Sequence, residues 1–323
     1  MGTDSRMYMV HCMTPVHVGA GQGVGIVDMP MMREKVTEWP YFPGSSIKGV
    51  HRDFFRNGNH KQPDKWLDVA FGKGSSRGED DAEGAERDAD DGNAGALVMT
   101  DARILAFPVA SHYGTFAYIT CPLVLKRFKR DVEAAAITMP ELNVSTLSEL
   151  VQSKQDQDQS VVHSLSQLRK RDHATSKDHL YIDEFVNEAV EDPTFTAWAD
   201  WLAKQLFADD HISQSMLTER IALVSDEAFQ YFVTMCSEIV PRIRIDQNVK
   251  TVAEGALWNE EYLPTESILY GLIWSDPFLG QQHNMNGRKL LDELPQKTYL
   301  QIGGNATVGK GRIQCRYVKG GAL

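Results

Sequence analysis

The chain sets a strand directly against a glycine-rich break and then against a helix, and that order limits the folds open to it. Residues 6–13, RMYMVHCM, have the length and β-propensity of a first strand; TPVHVGAGQGVG, at 14–25, ends it with one proline and four glycines. The next regular stretch is helical. In SSIKGVHRDFFRNG, residues Ile47, Val50, His51, Phe54 and Phe55 fall at i, i+3, i+4, i+7 and i+8, with Ser45 as cap, Gly58 as terminator, and Lys48, Arg52 and Arg56 on the other side. Strand-like runs follow at ALVMTDARILAFP and TFAYITCP, the second leading into the basic LVLKRFKRDVEAA. Then come a polar middle over 141–220 with one strand (LYIDEFV) and one tryptophan-bearing helix (TFTAWADWLAKQLF), and a helix-like SDEAFQYFVTMCSEIV. After these stand an alternating PRIRID, a turn-rich VKTVAEGALWNEEYLP, a strand TESILYGLIW and the closing glycine loop YLQIGGNATVGKGRIQCRYV. Strands and helices mix without a regular βαβ cadence, so the fold class is α+β and not a doubly wound sheet.

The 323 residues are 42% hydrophobic, enough for a sizeable core. The net charge of −11 argues at first against phosphate binding, but it is unevenly spread. Residues 79–91 hold eight acids against one base, inside a segment (72–95) of small and charged residues that should form an acidic disordered insertion. Elsewhere 32 bases face 36 acids, with cations gathered at 126–130, 242–244 and 310–312. Cys12, Cys121, Cys236 and Cys315 form no CxxC pair, the N-terminus lacks a signal-peptide pattern, and no apolar run reaches the roughly eighteen residues of a membrane span. A soluble, cytoplasmic protein without membrane contact is expected.

The motifs carry mixed signals. GNATVGKG at 304–311 nearly spells a P-loop, but Gly311 stands where a hydroxyl should ligate magnesium and only twelve residues follow, so no bound nucleotide is expected. What survives is a cradle of open backbone N–H groups around Gly309, with Lys310 and Arg312 beside it, suited to a phosphate backbone or to a plain structural turn. HVGAGQGVGIVDMPMMREK displays His17, Asp28, Arg33, Glu34 and Lys35 on a long loop, where catalytic side chains are commonly found, although a lone Asp is more often a turn residue. No HExxH or repeated His/Cys spacing marks a zinc site, and no GxSxG marks an acyl transferase. In PRIRID a strand would put Arg242 and Arg244 on one side and Ile243 and Ile245 on the other, either a solvated edge or a basic ribbon against nucleic acid.

Three stretches together resemble one family: TPVHVGAGQGVGIVDMPMMREKVTEWPYFPGSSIKGVHRDFF, VPRIRIDQNVKTVAEGALWNEEYLP and YLQIGGNATVGKGR. They are similar to the TPxHxGxG, VDxPIxRE, PGSSxKG and GGxxTxGKG patterns of the RAMP-superfamily backbone subunits of type III-B CRISPR effector (Cmr) complexes; Met31 departs from the usual Ile. The resemblance implies a single RAMP domain over 1–323: a modified ferredoxin-like, RRM-type palm with a β-hairpin thumb at 240–264, a helical and polar inserted subdomain at 141–220 and the acidic insertion at 72–95. It implies copies of the chain in a helical filament along CRISPR RNA, with other Cmr subunits, cutting complementary target RNA once per subunit with a divalent metal (Mg or Mn). Asp28 is then the catalytic and metal-binding residue, with His17, Glu260 and Tyr262 as further catalytic candidates. RNA would be held through Ser45, Ser46, Lys48, Arg33, Arg242, Arg244, Gly309, Lys310 and Arg312, which need read only backbone shape and charge. The alternatives are a non-catalytic RNA-binding scaffold and, third, a RAMP endoribonuclease processing precursor CRISPR RNA.

Overall fold

The computed structural model describes residues 5–21, 27–57, 60–73, 93–152, 159–246, 248, 250–276 and 287–320, and of 253–255 the backbone alone. Most of the acidic 72–95 segment, including 79–91, and Gly58 lie outside the described residues.

The first third of the chain gives β1 (Ser5–Cys12), β2 (Tyr41–Phe42), α1 (Gly44–Asn57), α2 (Asp64–Phe71), the short β3 (Gly72–Lys73) and β4 (Asn93–Ala94), and β5 (Leu97–Met99). The helix read from the Ile47 periodicity buries Ile47, His51 and Phe55. It opens at Gly44, whose N–H donates to the Asp101 carboxylate at 2.7 Å, so Ser45 sits in the first turn and is not the cap. Phe55 packs against Trp66 of α2 at 5.1 Å between ring centres, a burial that stabilises by about 2 kcal/mol.

The middle brings β6 (Ala102–Ala110), β7 (Phe116–Thr120), α3 (Pro122–Ala134), α4 (Val144–Val151), β8 (Gln159–Val162), β9 (Arg169–Arg171), β10 (Asp178–Ile182), β11 (Phe185–Glu191), α5 (Pro193–Leu206), α6 (His211–Arg220) and β12 (Ile221–Leu223). LYIDEFV is thus a hairpin and not one strand: Ile182 pairs with Phe185, and Asp183 turns the chain at φ 48°. Asp tolerates that left-handed conformation, so the turn forms without the glycine that would have announced it.

The last third gives α7 (Asp226–Met235), β13 (Glu238–Ile245), β14 (Val252–Tyr262), β15 (Ile268–Ser275), α8 (Gly287–Asp292), β16 (Lys297–Gln301) and β17 (Arg312–Lys319). The helix in SDEAFQYFVTMCSEIV stops at Met235, and its final EIV opens β13. The stretch read as turn-rich is an eleven-residue strand, β14, which forms a two-stranded antiparallel sheet with β13; an irregularity between Ile243 and Ile245 absorbs the register shift.

The other large element is one mixed sheet in the order β16-β17-β1-β15-β6-β7-β12-β8-β11-β10-β9, with β2 added on β6 and β5 on β15. Pairing is antiparallel except at β7–β12 and β8–β11. Strand β1, buried at all eight positions, lies between β15 and β17, and Phe128 of α3 meets Tyr270 of β15 edge-on at 4.9 Å. The strands of 159–191 continue this sheet through β12 and do not form a separate one. Among the described residues, no helix is long and apolar enough to cross a membrane.

Candidate functional site

Strand β14 is the axis of the site, because side chains alternate across a strand and its last residues send successive groups to opposite faces. Trp258, Glu260 and Tyr262 share a face with their cross-strand partners Arg242, Val240 and Glu238. Glu260 is buried, at 4% exposure, and accepts from Trp258 Nε1 at 2.8 Å, from Asn305 Nδ2 at 3.0 Å and from the Tyr262 hydroxyl; Arg242 Nε stands 3.7 Å away. Burial works to raise its pKa, but the hydrogen bonds from Tyr262 and Trp258 and the charge of Arg242 outweigh it and hold the carboxyl below its usual value. Tyr262 is fully buried, and burial, then the Glu260 carboxylate, pushes its hydroxyl up to about 12. It therefore stays protonated at neutral pH and cannot act as a base, while Glu260 has its oxygens engaged.

On the opposite face, Glu261 holds the VDMPMMRE loop. Its Oε1 accepts from Arg33 Nη2 at 2.6 Å and from Ser237 at 2.7 Å, and its Oε2 accepts from the Met31 N–H at 3.1 Å. Arg33 also donates to the carbonyls of Glu38 and Val233, so its guanidinium is committed within the protein. The loop runs alongside β14: Met29 N–H donates to the Asn259 carbonyl and Glu261 N–H to the Met29 carbonyl. One step earlier the Asp28 side chain replaces the ladder, its Oδ2 accepting the Asn259 N–H at 2.8 Å. Asp28 is exposed, and among the described residues its other oxygen has no protein partner.

His17 joins the two glycine loops. Its Nδ1 lies 2.7 Å from the Glu261 carbonyl, which only accepts, so Nδ1 carries the proton and Nε2 the lone pair in the neutral ring. The ring is 5% exposed and 5.5 Å from that of Tyr262. A Cβ on Gly19 would come within 2.8 Å of Nε2, and one on Gly303, at φ +76°, within 2.2 Å of the His17 carbonyl oxygen; glycine is what allows both loops to close on this residue.

The C-terminal loop 302–311 is tied in by Asn305, which donates 3.0 Å to Glu260 and 2.8 Å to the Tyr262 hydroxyl. Lys310 lies 4.8 Å over the Tyr262 ring and 3.5 Å from Glu238, whereas Gly309 faces open space. Arg244 on β13 and Arg312 at the start of β17 are exposed. Ser45, Ser46 and Lys48 belong to a second place, the start of α1, where Ser45 and Lys48 line an open groove of about 350 Å³ with Pro43, Leu97 and Asp101. Burial, then Arg52, lowers the Lys48 pKa.

Sequence reasoning missed three residues of this arrangement: Asn259, Glu261 and Asn305. All lie inside motifs it quoted, but nothing in a linear pattern tells which of two adjacent glutamates faces which loop. Among the described residues no three His, Cys, Asp or Glu side chains gather as a metal cluster. The free Asp28 oxygen suits a hard cation that takes its other ligands from water and phosphate, not one caged by protein.

The model of the RAMP superfamily matches residues 10–314, and the chain belongs to that superfamily. Within it, the sequence is 33% identical over 311 residues to the CRISPR system Cmr endoribonuclease Cmr4 of Pyrococcus furiosus, covering 96% of this chain and 95% of that protein. Among solved structures it resembles oligomeric Cmr4 from Pyrococcus furiosus, with a TM-score of 0.66, 24% identity and 98% of each chain covered. It also resembles a chain of the type III-B Cmr-beta complex bound to cognate target RNA, with a TM-score of 0.64, 19% identity and 97% and 96% covered.

Proposed function

We propose that this chain is the backbone subunit of a type III-B CRISPR RNA-guided effector: copies line up as a filament on CRISPR RNA, with other Cmr subunits, and each cuts complementary target RNA, in antiviral defence in the cytoplasm. The large sheet with α1 and α3 serves as a ferredoxin-like palm and the β13–β14 hairpin as the thumb. Family membership and the Cmr4 relative support this reading.

The observation that carries the catalytic half is a division among the four candidate side chains. His17, Glu260 and Tyr262 are at most 5% exposed and hydrogen-bonded within the protein, while Asp28 is exposed at the root of the hairpin. Asp28 is the group that meets RNA; the other three are positioning residues that hold the loops at its side. Guide–target pairing supplies sequence recognition, so the protein needs only to fix one phosphodiester for in-line displacement. The Asn259 N–H keeps the Asp28 carboxylate in place and leaves one oxygen to accept the proton of the attacking hydroxyl. Alternatively the same oxygen would hold a divalent metal together with RNA phosphates, and the metal would then supply Lewis-acid stabilisation of the displaced oxygen in place of proton acceptance by Asp28. Ser45, Ser46, Lys48, Gly309, Lys310, Arg312, Arg242 and Arg244 supply backbone N–H groups and cations to the RNA, and Arg33 acts indirectly through Glu261.

The test is Asp28→Asn in the assembled, guide-loaded complex. Asn keeps an oxygen for the Asn259 N–H and removes the charge. Evenly spaced target fragments should disappear while guide and target binding stay within about twofold, since general-base losses alone reach roughly 10²-fold. Undiminished fragments would sink the assignment and leave a scaffold.

A further inference from the structure

Strand β16 is one end of the large sheet, with no strand beyond it among the described residues, and its exposed row reads Lys297, Tyr299, Gln301. Tyr299 is 46% exposed. Lys297 Nζ lies 5.9 Å from the centre of its ring and Arg312 Cζ 5.7 Å, the arginine reaching from β17 where it pairs with Gln301. Both cations are exposed: among the described residues Arg312 has no carboxylate ion-pair partner, and Lys297 makes no close ion pair although the charge of Asp209, which pairs with Arg316, acts on it; Lys310 is paired with Glu238. At the end of the row Gln301 Nε2 donates 2.5 Å to the Lys310 carbonyl, which ties the strand to the glycine loop.

We propose that Tyr299, flanked by Lys297 and Arg312, is a stacking site for an unpaired base of an RNA strand whose adjacent phosphates meet the two cations. This rests on the RNA-binding reading above and adds to it a contact made by ring and charge together. An exposed aromatic between exposed cations is the minimal unit of single-strand binding: every base has a face to stack, and each neighbouring phosphate finds a positive charge. A lysine alone on an edge strand would be explained as protection against edge pairing. A half-exposed tyrosine with two exposed cations over it is not, because an apolar ring works against that protection. The position is continuous with the Gly309–Lys310 loop, so a strand leaving that loop passes over β16.

The experiment uses the full chain and a fluorescent single-stranded RNA of mixed sequence, with affinity measured at several salt concentrations and the oligomeric state followed in parallel. Tyr299→Ala should weaken binding about tenfold and Tyr299→Phe by less than about twofold, as expected of base–aromatic stacking. Lys297→Gln should lower the salt slope by about one. RNA with an abasic tract should bind wild type and Tyr299→Ala alike. Tyr299→Ala binding as wild type while Lys310→Ala is impaired would overturn the stacking site and leave the RNA-binding reading standing; absence of RNA binding by wild type and by the guide-loaded complex would remove both. A changed oligomeric state with unchanged RNA affinity would overturn it too, making this edge a contact between copies.

Discussion

Glu260 and Glu261 are neighbours in sequence and hold opposite ends of the site: Glu260 receives Asn305 from the C-terminal glycine loop, and Glu261 receives Arg33 and the Met31 N–H from the loop that carries Asp28. One strand residue apart, they clamp the two motif loops to the two faces of β14.

The Arg33–Glu261 pair is largely buried, with side chains 18% and 8% exposed. Arg33→Ala leaves a carboxylate inside without its countercharge, and this should cost about 3 kcal/mol or more, whereas pairing it with Glu261→Gln should recover part of the loss. Denaturant unfolding of the two single variants and the double variant measures this. A double variant no better than Arg33→Ala would show that the pair is not what holds the loop.

Asn305 has φ 62°, in the left-handed region, and donates through Nδ2 to both Glu260 and Tyr262. Asn305→Gly loses the donors but keeps the backbone; Asn305→Ala loses the donors and adds a left-handed cost of about 1 kcal/mol. Unfolding free energies should therefore fall in the order wild type, Gly, Ala. Equal Gly and Ala values would mean the loop relaxes out of this conformation.

Glu260, Glu261 and Glu266 all have pKa values lowered from 4.5. In each, burial acts to raise the value and is outweighed by donors: Tyr262 and Trp258 for Glu260, Arg33 and Ser237 for Glu261, His11 and Tyr118 for Glu266. A folded-state value below the unfolded one contributes stability that is complete above the unfolded pKa and is lost as pH falls through the folded one. The melting temperature should stay level on these groups' account down to about pH 5 and drop below about pH 4.5, and Glu266→Gln should make the drop shallower. A profile unchanged by Glu266→Gln would remove Glu266 from the explanation.

The α+β class and the α1 helix were legible in the sequence because each rests on local periodicity: Ile47, His51 and Phe55 repeat at helical spacing and are buried. The motifs located the loops of the site but not its division of labour. The resemblance set Asp28 ahead of His17, Glu260 and Tyr262, but a linear pattern could not show that the last three are buried while Asp28 is exposed. In the residue pattern strand β14 was hidden by its punctuation, since Gly255 and a run of polar residues read as turns, and only the family resemblance put a hairpin at 240–264, where β13 and β14 pair. The hairpin turn at Asp183 was hidden for the converse reason, a left-handed residue that is not glycine.

The acidic segment supplies the last test. Residues 79–91 carry eight acids, one base and no apolar side chain larger than alanine, so they have little to bury against a partner. Their removal should leave assembly of the complex intact. What it should alter is electrostatics: seven of the chain's eleven excess negative charges go with it, and a less negative subunit repels RNA less. At physiological ionic strength charges separated by more than about 8 Å are largely screened. The gain in RNA affinity should thus be a few-fold in about 50 mM salt and vanish near 0.5 M, where the screening length is shorter still. Titrating deletion and wild-type complexes across that range gives the answer. Loss of assembly would make the segment an interaction element, and a gain that persists at high salt would mean it competes with RNA by direct contact.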